Sequence, residues 1–172
     1  NNKPVFSDIN QMLLDSVDQT KSLLKKELEL DKQDLETKWH LLSLEKIFIE
    51  NKIYRLIENA DSWNLVIDII DKALVPFTNN LKKEITKDDI IYLTELKIKK
   101  ISKYDIDKTE QKLKKLESDL DEVVNNIYHI TEYSIRFFEM IYEKYGTNKE
   151  RKNKIEKFDT IKIKQAALTN KK

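Results

Sequence analysis

The chain has 172 residues, of which one is glycine and two are proline, with no cysteine and a formal net charge of +1. Average usage would supply about twelve glycines, and without them phosphate-cradling loops, dinucleotide fingerprints and turn-rich sandwiches are hard to build. The missing cysteines remove disulfide frameworks, zinc ribbons and thiol nucleophiles, and the remaining Lys/Glu/Leu/Ile-rich composition suits long helices.

The first ten residues precede a stretch, 11–60, without Gly or Pro, in which Leu28, Leu35, Leu42, Ile49 and Leu56 recur every seven positions. Leu24, Trp39 and Ile53 stand four residues from members of that series and widen the stripe. A single helix over these residues would reach roughly 75 Å, longer than one globular domain needs. Asp61-Ser62 interrupts it, with Asp61 expected to cap a short helix that carries Trp63, Val66, Ile67, Ile70 and Leu74 and stops at Pro76. Thr86, followed three residues later by Asp89, reads as the cap of another short helix holding Ile90, Ile91, Leu93, Leu96 and Ile98. Ser102 to Asp105 reads as a connector.

Residues 107–146 carry Leu113, Leu116, Leu120, Val123, Ile127, Ile130, Ser134, Phe137 and Ile141 at alternating steps of three and four, the seam of a coiled coil. Asp107 and Glu110 suit its start, and Gly146 its left-handed end. The pattern predicts an all-α fold: a long antiparallel two-helix coiled coil (11–60 descending, 107–146 returning) with a small helical globular tip at 61–106. Residues 147–172 form a basic segment in which Ile161 and Ile163 alternate with Lys162 and Lys164, a pattern for a short extended stretch. Disorder is expected near Lys172. The chain opens at Asn1 without methionine, so a fragment of a longer, soluble protein is expected; no apolar run reaches the ~20 residues of a membrane span.

Charge is distributed unevenly. Residues 11–60 hold 8 basic and 10 acidic side chains (−2), residues 61–106 hold 8 of each, residues 107–146 hold 6 and 9 (−3), and residues 147–172 hold 9 and 3 (+6). Lys149, Arg151, Lys152, Lys154 and Lys157 are therefore candidate DNA phosphate contacts, set against a plain solvated linker. His40 and His129 are expected as surface or seam-edge imidazoles, and Asp119, Asp121 and Glu122 as a solvated face, so no metal site is assigned. Tyr128, Tyr133, Tyr142 and Tyr145 are expected on or beside the seam. No nucleophile, base and oxyanion site assemble, and no catalytic residue is assigned in this stretch.

The stretch Leu93-Thr94-Glu95-Leu96-Lys97-Ile98-Lys99-Lys100-Ile101-Ser102, followed by Lys103-Tyr104-Asp105, resembles the tip motif of the A subunit of bacterial type IIA topoisomerases. That motif runs Ile-Leu-Asp-Leu-Arg-Leu, two variable positions, Thr-Gly-Leu-Glu. Glu95, Lys97 and Ser102 keep its acid, base and hydroxyl, whereas Lys103 replaces its glycine. Thr37-Lys38-Trp39-His40, Ser43 through Asn51, Lys144-Tyr145-Gly146 and Arg151 through Asp159 resemble a branch of the same family, so the likeness covers most of residues 15–170. It implies the coiled coil and exit gate (C-gate) of the DNA-cleaving subunit of gyrase or topoisomerase IV, with residues 1–10 ending an upstream tower region. It also implies a homodimer through the tip, with Ile90, Ile91, Leu93, Leu96, Ile98 and Ile101 as tip core and dimer contact. In that family the catalytic tyrosine follows an arginine, and none of the seven tyrosines here does. The resemblance further implies a B subunit that brings Mg²⁺ and ATP, DNA as the substrate, and a cytoplasmic, nucleoid-associated setting. The alternatives are a nucleic-acid-binding arm, disfavoured by the acidic long helices, and a purely structural arm with a globular tip.

Overall fold

In a computed structural model, residues 6–58, 60–149 and 152 are described, and all their regular structure is helical. The helices are α1 (Ile9–Glu50), α2 (Trp63–Leu74), α3 (Lys87–Thr94), α4 (Ile98–Ser102), α5 (Ile106–Tyr128) and α6 (Ile130–Tyr145), with short 3₁₀ turns at Ile53–Arg55 and Val75–Asn80. Among the described residues no helix is long and apolar enough to cross a membrane. The chain divides into two units, Asn1–Ser134 and Ile135–Lys172.

In the first unit, α1 runs for 42 residues, about 63 Å. The Asp8 carboxylate caps it by accepting from Gln11 N. The helix stops ten residues short of the expected end at residue 60 and six short of Leu56, the last member of the heptad series. Asn51 N returns to Ile47 O at 3.1 Å, and Lys52 takes a left-handed conformation (φ 54°) with its N–H on Ile49 O at 3.1 Å. This closes the end in the manner usually left to glycine. Leu56 therefore lies outside α1 and is 55% exposed rather than part of a seam.

α5 packs antiparallel along α1. As α1 numbering rises, the partners across the pair fall: Lys21 Nζ donates to Thr131 Oγ1 (2.8 Å), Trp39 Nε1 to Glu117 (3.0 Å) and Lys46 Nζ to Glu110 (2.7 Å). Of the expected seam residues, Leu28, Ile49 and Leu120 are buried, and Leu35, Leu42, Leu113, Leu116, Val123, Ile127 and Ile130 are half-buried. Ser134, the polar member, is buried and satisfied by donating to Ile130 O at 2.7 Å.

The expected single helix over 107–146 is instead two. At His129 the backbone leaves helical geometry (φ −103°, ψ 41°), although the apolar spacing continues across it. The cap of α5 also comes earlier than expected: Asp105, not Asp107, accepts from Lys108 N at 3.1 Å. Likewise Ser62 rather than Asp61 caps α2, accepting from Leu65 N. Pro76 does not sit at the end of α2 but inside the following 3₁₀ turn, where its missing N–H costs nothing. At Thr86 the capping box is complete in both directions.

Between α1 and α5, α2, α3 and α4 form a cluster closed over the last turns of α1. Its core is Leu44, Phe48, Ile49, Ile53, Ile70, Leu74, Ile90 and Leu93. Here α1 is surrounded on more than one side, so Leu44 and Phe48, which stand off the heptad line, are among the most deeply buried side chains of the chain.

The second unit contains, among the described residues, the remainder of α6 and the start of the basic segment. Phe137 is half-buried and meets the Phe138 ring edge-on, and Ile141 is exposed. Gly146 does not have the left-handed backbone expected of it. Its need for glycine is steric: a Cβ there would sit 2.4 Å from Tyr142 O and 2.7 Å from the Tyr142 ring. The left-handed residue is Asn148 (φ 66°). The expected extended stretch around 161–164 lies outside the described residues.

Candidate functional site

The α3–α4 segment carries the residues that the tip motif singles out, and its placement depends on polar ties to α1 as much as on the apolar core. His40, expected at the surface or the edge of the seam, is only 3% exposed. Its Nε2 lies 3.3 Å from Asp89 Oδ2, while Nδ1 has no hydrogen-bond partner among the described residues. Asp89 also accepts from the Thr86 amide (2.8 Å) and hydroxyl (2.7 Å). Burial pushes its carboxyl up, but the bonds from Thr86 and His40 outweigh this and hold it below its ordinary value. An ionised carboxylate only accepts, so His40 Nε2 carries the proton in this bond.

One turn further along α1, Glu45 is buried and accepts from both the Tyr92 hydroxyl of α3 and the Lys100 ammonium of α4. Burial and the carboxylate together push the Tyr92 phenol up; for Lys100 burial acts downward, and Glu45 more than offsets it. A third tie joins Lys46 to Glu110 at the base of α5. The Glu110 hydrogen bond raises the Lys46 ammonium above its usual value despite partial burial. At the α4–α5 corner Lys103, which replaces the glycine of the tip motif, has φ −103° and ψ 16°, so this corner needs no left-handed residue. Ser102 Oγ donates to Lys99 O there.

The six expected tip residues separate by exposure. Ile90 and Leu93 belong to the chain's own core. Ile91, Leu96 and Ile101 are half-buried, the last two packed on that core. Ile98, on α4, is 82% exposed. Only Ile98 thus presents a whole apolar side chain outward from this set.

Elsewhere, Tyr128, Tyr142 and Tyr145 stand exposed rather than packed beside the seam, while Tyr133 is half-buried. Tyr128 and Tyr142 each follow a seam residue by one position, which turns them about 100° away from it. His129 is exposed and faces Glu132 at 3.7 Å. Asp121 and Glu122 are exposed and Asp119 half-buried. Of the basic segment, Lys149 and Lys152 are exposed, and Arg151, Lys154 and Lys157 lie outside the described residues.

Two shallow grooves flank Tyr92 and Lys100, and charge summed segment by segment gives no sign of them. One, of about 470 Å³, has Leu41, Leu42 and Leu116 as its floor and Lys38, Lys112 and Lys115 on its rim. The other, of about 480 Å³, is edged by Lys97, Lys99 and Lys103, with Glu95 beside them. The lysines come from segments that are each neutral or acidic overall, so the basic surface exists only once the helices pack.

Residues 1–143 match the family model that describes the A subunit of DNA gyrase/topoisomerase IV, and the chain belongs to that family. The A subunit of DNA topoisomerase 4 from Borreliella burgdorferi (strain ATCC 35210 / DSM 4680 / CIP 102532 / B31) is 33% identical over 169 residues, which cover 98% of this chain and 27% of that protein. The chain therefore spans about a quarter of the length of this curated relative. No solved structure matches it.

Proposed function

We propose that this chain is the coiled-coil lever and exit gate of a type IIA topoisomerase, contributed by its A subunit. In this reading α1 and α5 are the arms, α2–α4 the dimerisation tip, and two copies close a cavity from which the transported duplex leaves during ATP-dependent strand passage. The observation that carries it is Ile98: a largely exposed isoleucine on a five-residue helix that Lys100 and Ile101 fasten to the rest of the chain. A large apolar side chain held out on a fixed mount is a means of contact with another surface. Leu96 and Ile101, half-buried beside it, extend the apolar area.

The strand-cleaving tyrosine belongs to another part of the parent protein. The Mg²⁺ and ATP chemistry belongs to the B subunit of the heterotetramer, so no residue of this chain is assigned to either cofactor. Among the described residues no three His, Asp or Glu side chains converge as a metal site. The parent enzyme acts on chromosomal DNA in the bacterial cytoplasm.

Light scattering on the chain over a micromolar series tests the gate. A concentration-dependent dimer is expected, shifted to monomer by Ile98→Glu with helical content unchanged. A strict monomer at high micromolar concentration overturns the reading, and so does a dimer indifferent to Ile98→Glu.

A further inference from the structure

The two grooves adjoin at Tyr92 and Lys100, which line both. Their six rim lysines, Lys38, Lys97, Lys99, Lys103, Lys112 and Lys115, are all exposed, and none makes an ion pair among the described residues. Lys100 is already matched by Glu45. The remaining acids on the surface are Glu95 and Asp119, so six unpaired cations face two anions and leave an excess of four. From Lys38 to Glu45, the residue that holds Lys100, α1 advances about 10 Å, and the α4 lysines extend the surface beyond that point.

We propose that this lysine-rimmed double groove is a phosphate-backbone contact for duplex DNA that does not read bases. The side-chain chemistry favours DNA over an acidic protein. Protein interfaces are depleted in lysine and anchored by Trp, Tyr and Arg in deep pockets. Here all the rim cations are lysines, which are point charges on flexible stems, and the grooves are shallow. A duplex carries about one negative charge per 1.7 Å of axis, so a 10 Å stretch offers about six. Mobile ammonium groups meet such a lattice without needing a fixed geometry. The proposal rests on the lysine arrangement and not on the gate reading; dimerisation is measured without DNA, so either can fail alone.

The test is fluorescence anisotropy of a labelled random-sequence duplex titrated with the 172-residue chain between about 50 and 200 mM salt. If all six lysines engage, they contribute about −5 to the slope of log K against log salt, at about −0.9 per neutralised phosphate. Lys112→Gln with Lys115→Gln should flatten the slope by about two, so that the affinity gap from the parent chain is about twelvefold wider at 50 mM than at 200 mM salt. Lys112→Arg with Lys115→Arg should retain the parent slope, which separates lost charge from damaged folding. Lys149→Gln with Lys152→Gln measures the described part of the basic segment. Unchanged affinity and slope in the Lys112/Lys115 glutamine variant overturn the proposal. A poly-glutamate peptide that binds as tightly as the duplex, with the same lysine dependence, also overturns it and makes the occupant an acidic protein segment.

Discussion

Replacing Asp89 by alanine should cost more than its role as a helix cap explains. Its carboxylate closes the capping box with Thr86 and is also, among the described residues, the one hydrogen-bond partner of the buried His40 ring. Losing an N-terminal cap interaction costs about 1 kcal/mol. Leaving a buried imidazole N–H without an acceptor costs about 1–3 kcal/mol more. Asp89→Ala should therefore lower stability by about 2–4 kcal/mol. Thr86→Ala removes the hydroxyl half of the box and leaves the His40 contact, so about 1 kcal/mol is expected for it. Urea unfolding followed by circular dichroism gives both values, and hydrogen exchange of the α3 amides locates the loss. The pH dependence has a defined sign. Because the folded Asp89 carboxyl lies below its ordinary value, its contribution is complete above about pH 4 and is lost as pH falls through the lower, folded value. Asp89→Ala should accordingly show a shallower acid limb below about pH 4 than the parent chain. If the two substitutions cost the same within about 0.3 kcal/mol, against the 1–3 assigned to an orphaned donor, the His40–Asp89 tie contributes nothing and the reasoning fails.

Two other predictions concern particular backbone and side-chain positions. Lys52 is left-handed at the end of α1, where an L side chain costs about 1–2 kcal/mol. Lys52→Gly should raise stability by about 0.5–1 kcal/mol in urea unfolding once glycine's greater unfolded-state freedom is subtracted, and a loss would show that the lysine side chain matters there. Tyr104 is held up to about 12 by burial and by the Glu50 and Glu110 carboxylates. In an ultraviolet alkaline titration a tyrosinate should appear late, near pH 12, and that step should vanish in Tyr104→Phe. The stability tied to it is present below the ordinary tyrosine range and falls as pH rises through that value.

How much the sequence discloses depends on whether the determining contacts are local. The Thr86–Asp89 box can be read directly, because donor and acceptor lie three residues apart. The antiparallel pairing of α1 with α5 follows from two apolar periodicities. The end of α1 does not: Leu56 continues the seven-residue step while Lys52 has already turned the backbone. The interruption at His129 is hidden for the same reason, since Ile127 and Ile130 keep the spacing on either side of it. His40 reads as an ordinary surface imidazole until the start of α3 closes over it from 49 positions away. The lysine grooves join Lys38 to Lys112 and Lys115, so charge summed along the chain averages them out. Gly146 is readable as a glycine with a duty, but its duty is a close approach to Tyr142 and not a left-handed turn.

For a segment read as a gate, the question is where it yields under load. Within one copy, α2 and α3 pack on α1 and Ile53 through eight buried aliphatic and aromatic side chains, each contributing about 1.5–3 kcal/mol of gross burial, or about 12–24 kcal/mol together, and α4 joins them through Ile101 and the Lys100–Glu45 pair. Charge-assisted ties from His40 to Asp89 and from Glu45 to Tyr92 and Lys100 add to that. Between copies of the proposed gate, the one outward apolar side chain of the motif is Ile98, and a symmetric pair of them would gain about 3–6 kcal/mol gross on the same scale. In the proposed gate, even with contributions from Leu96 and Ile101, the contact between copies would be several times weaker than the attachment of each cluster to its own arm. A pull on the arms should therefore part the copies before it strips α3 and α4 from α1, as repeated opening without unfolding requires. The buried polar ties also give α3 and α4 one registered position on α1, so in the proposed gate Ile98 would return to the same place at each closure.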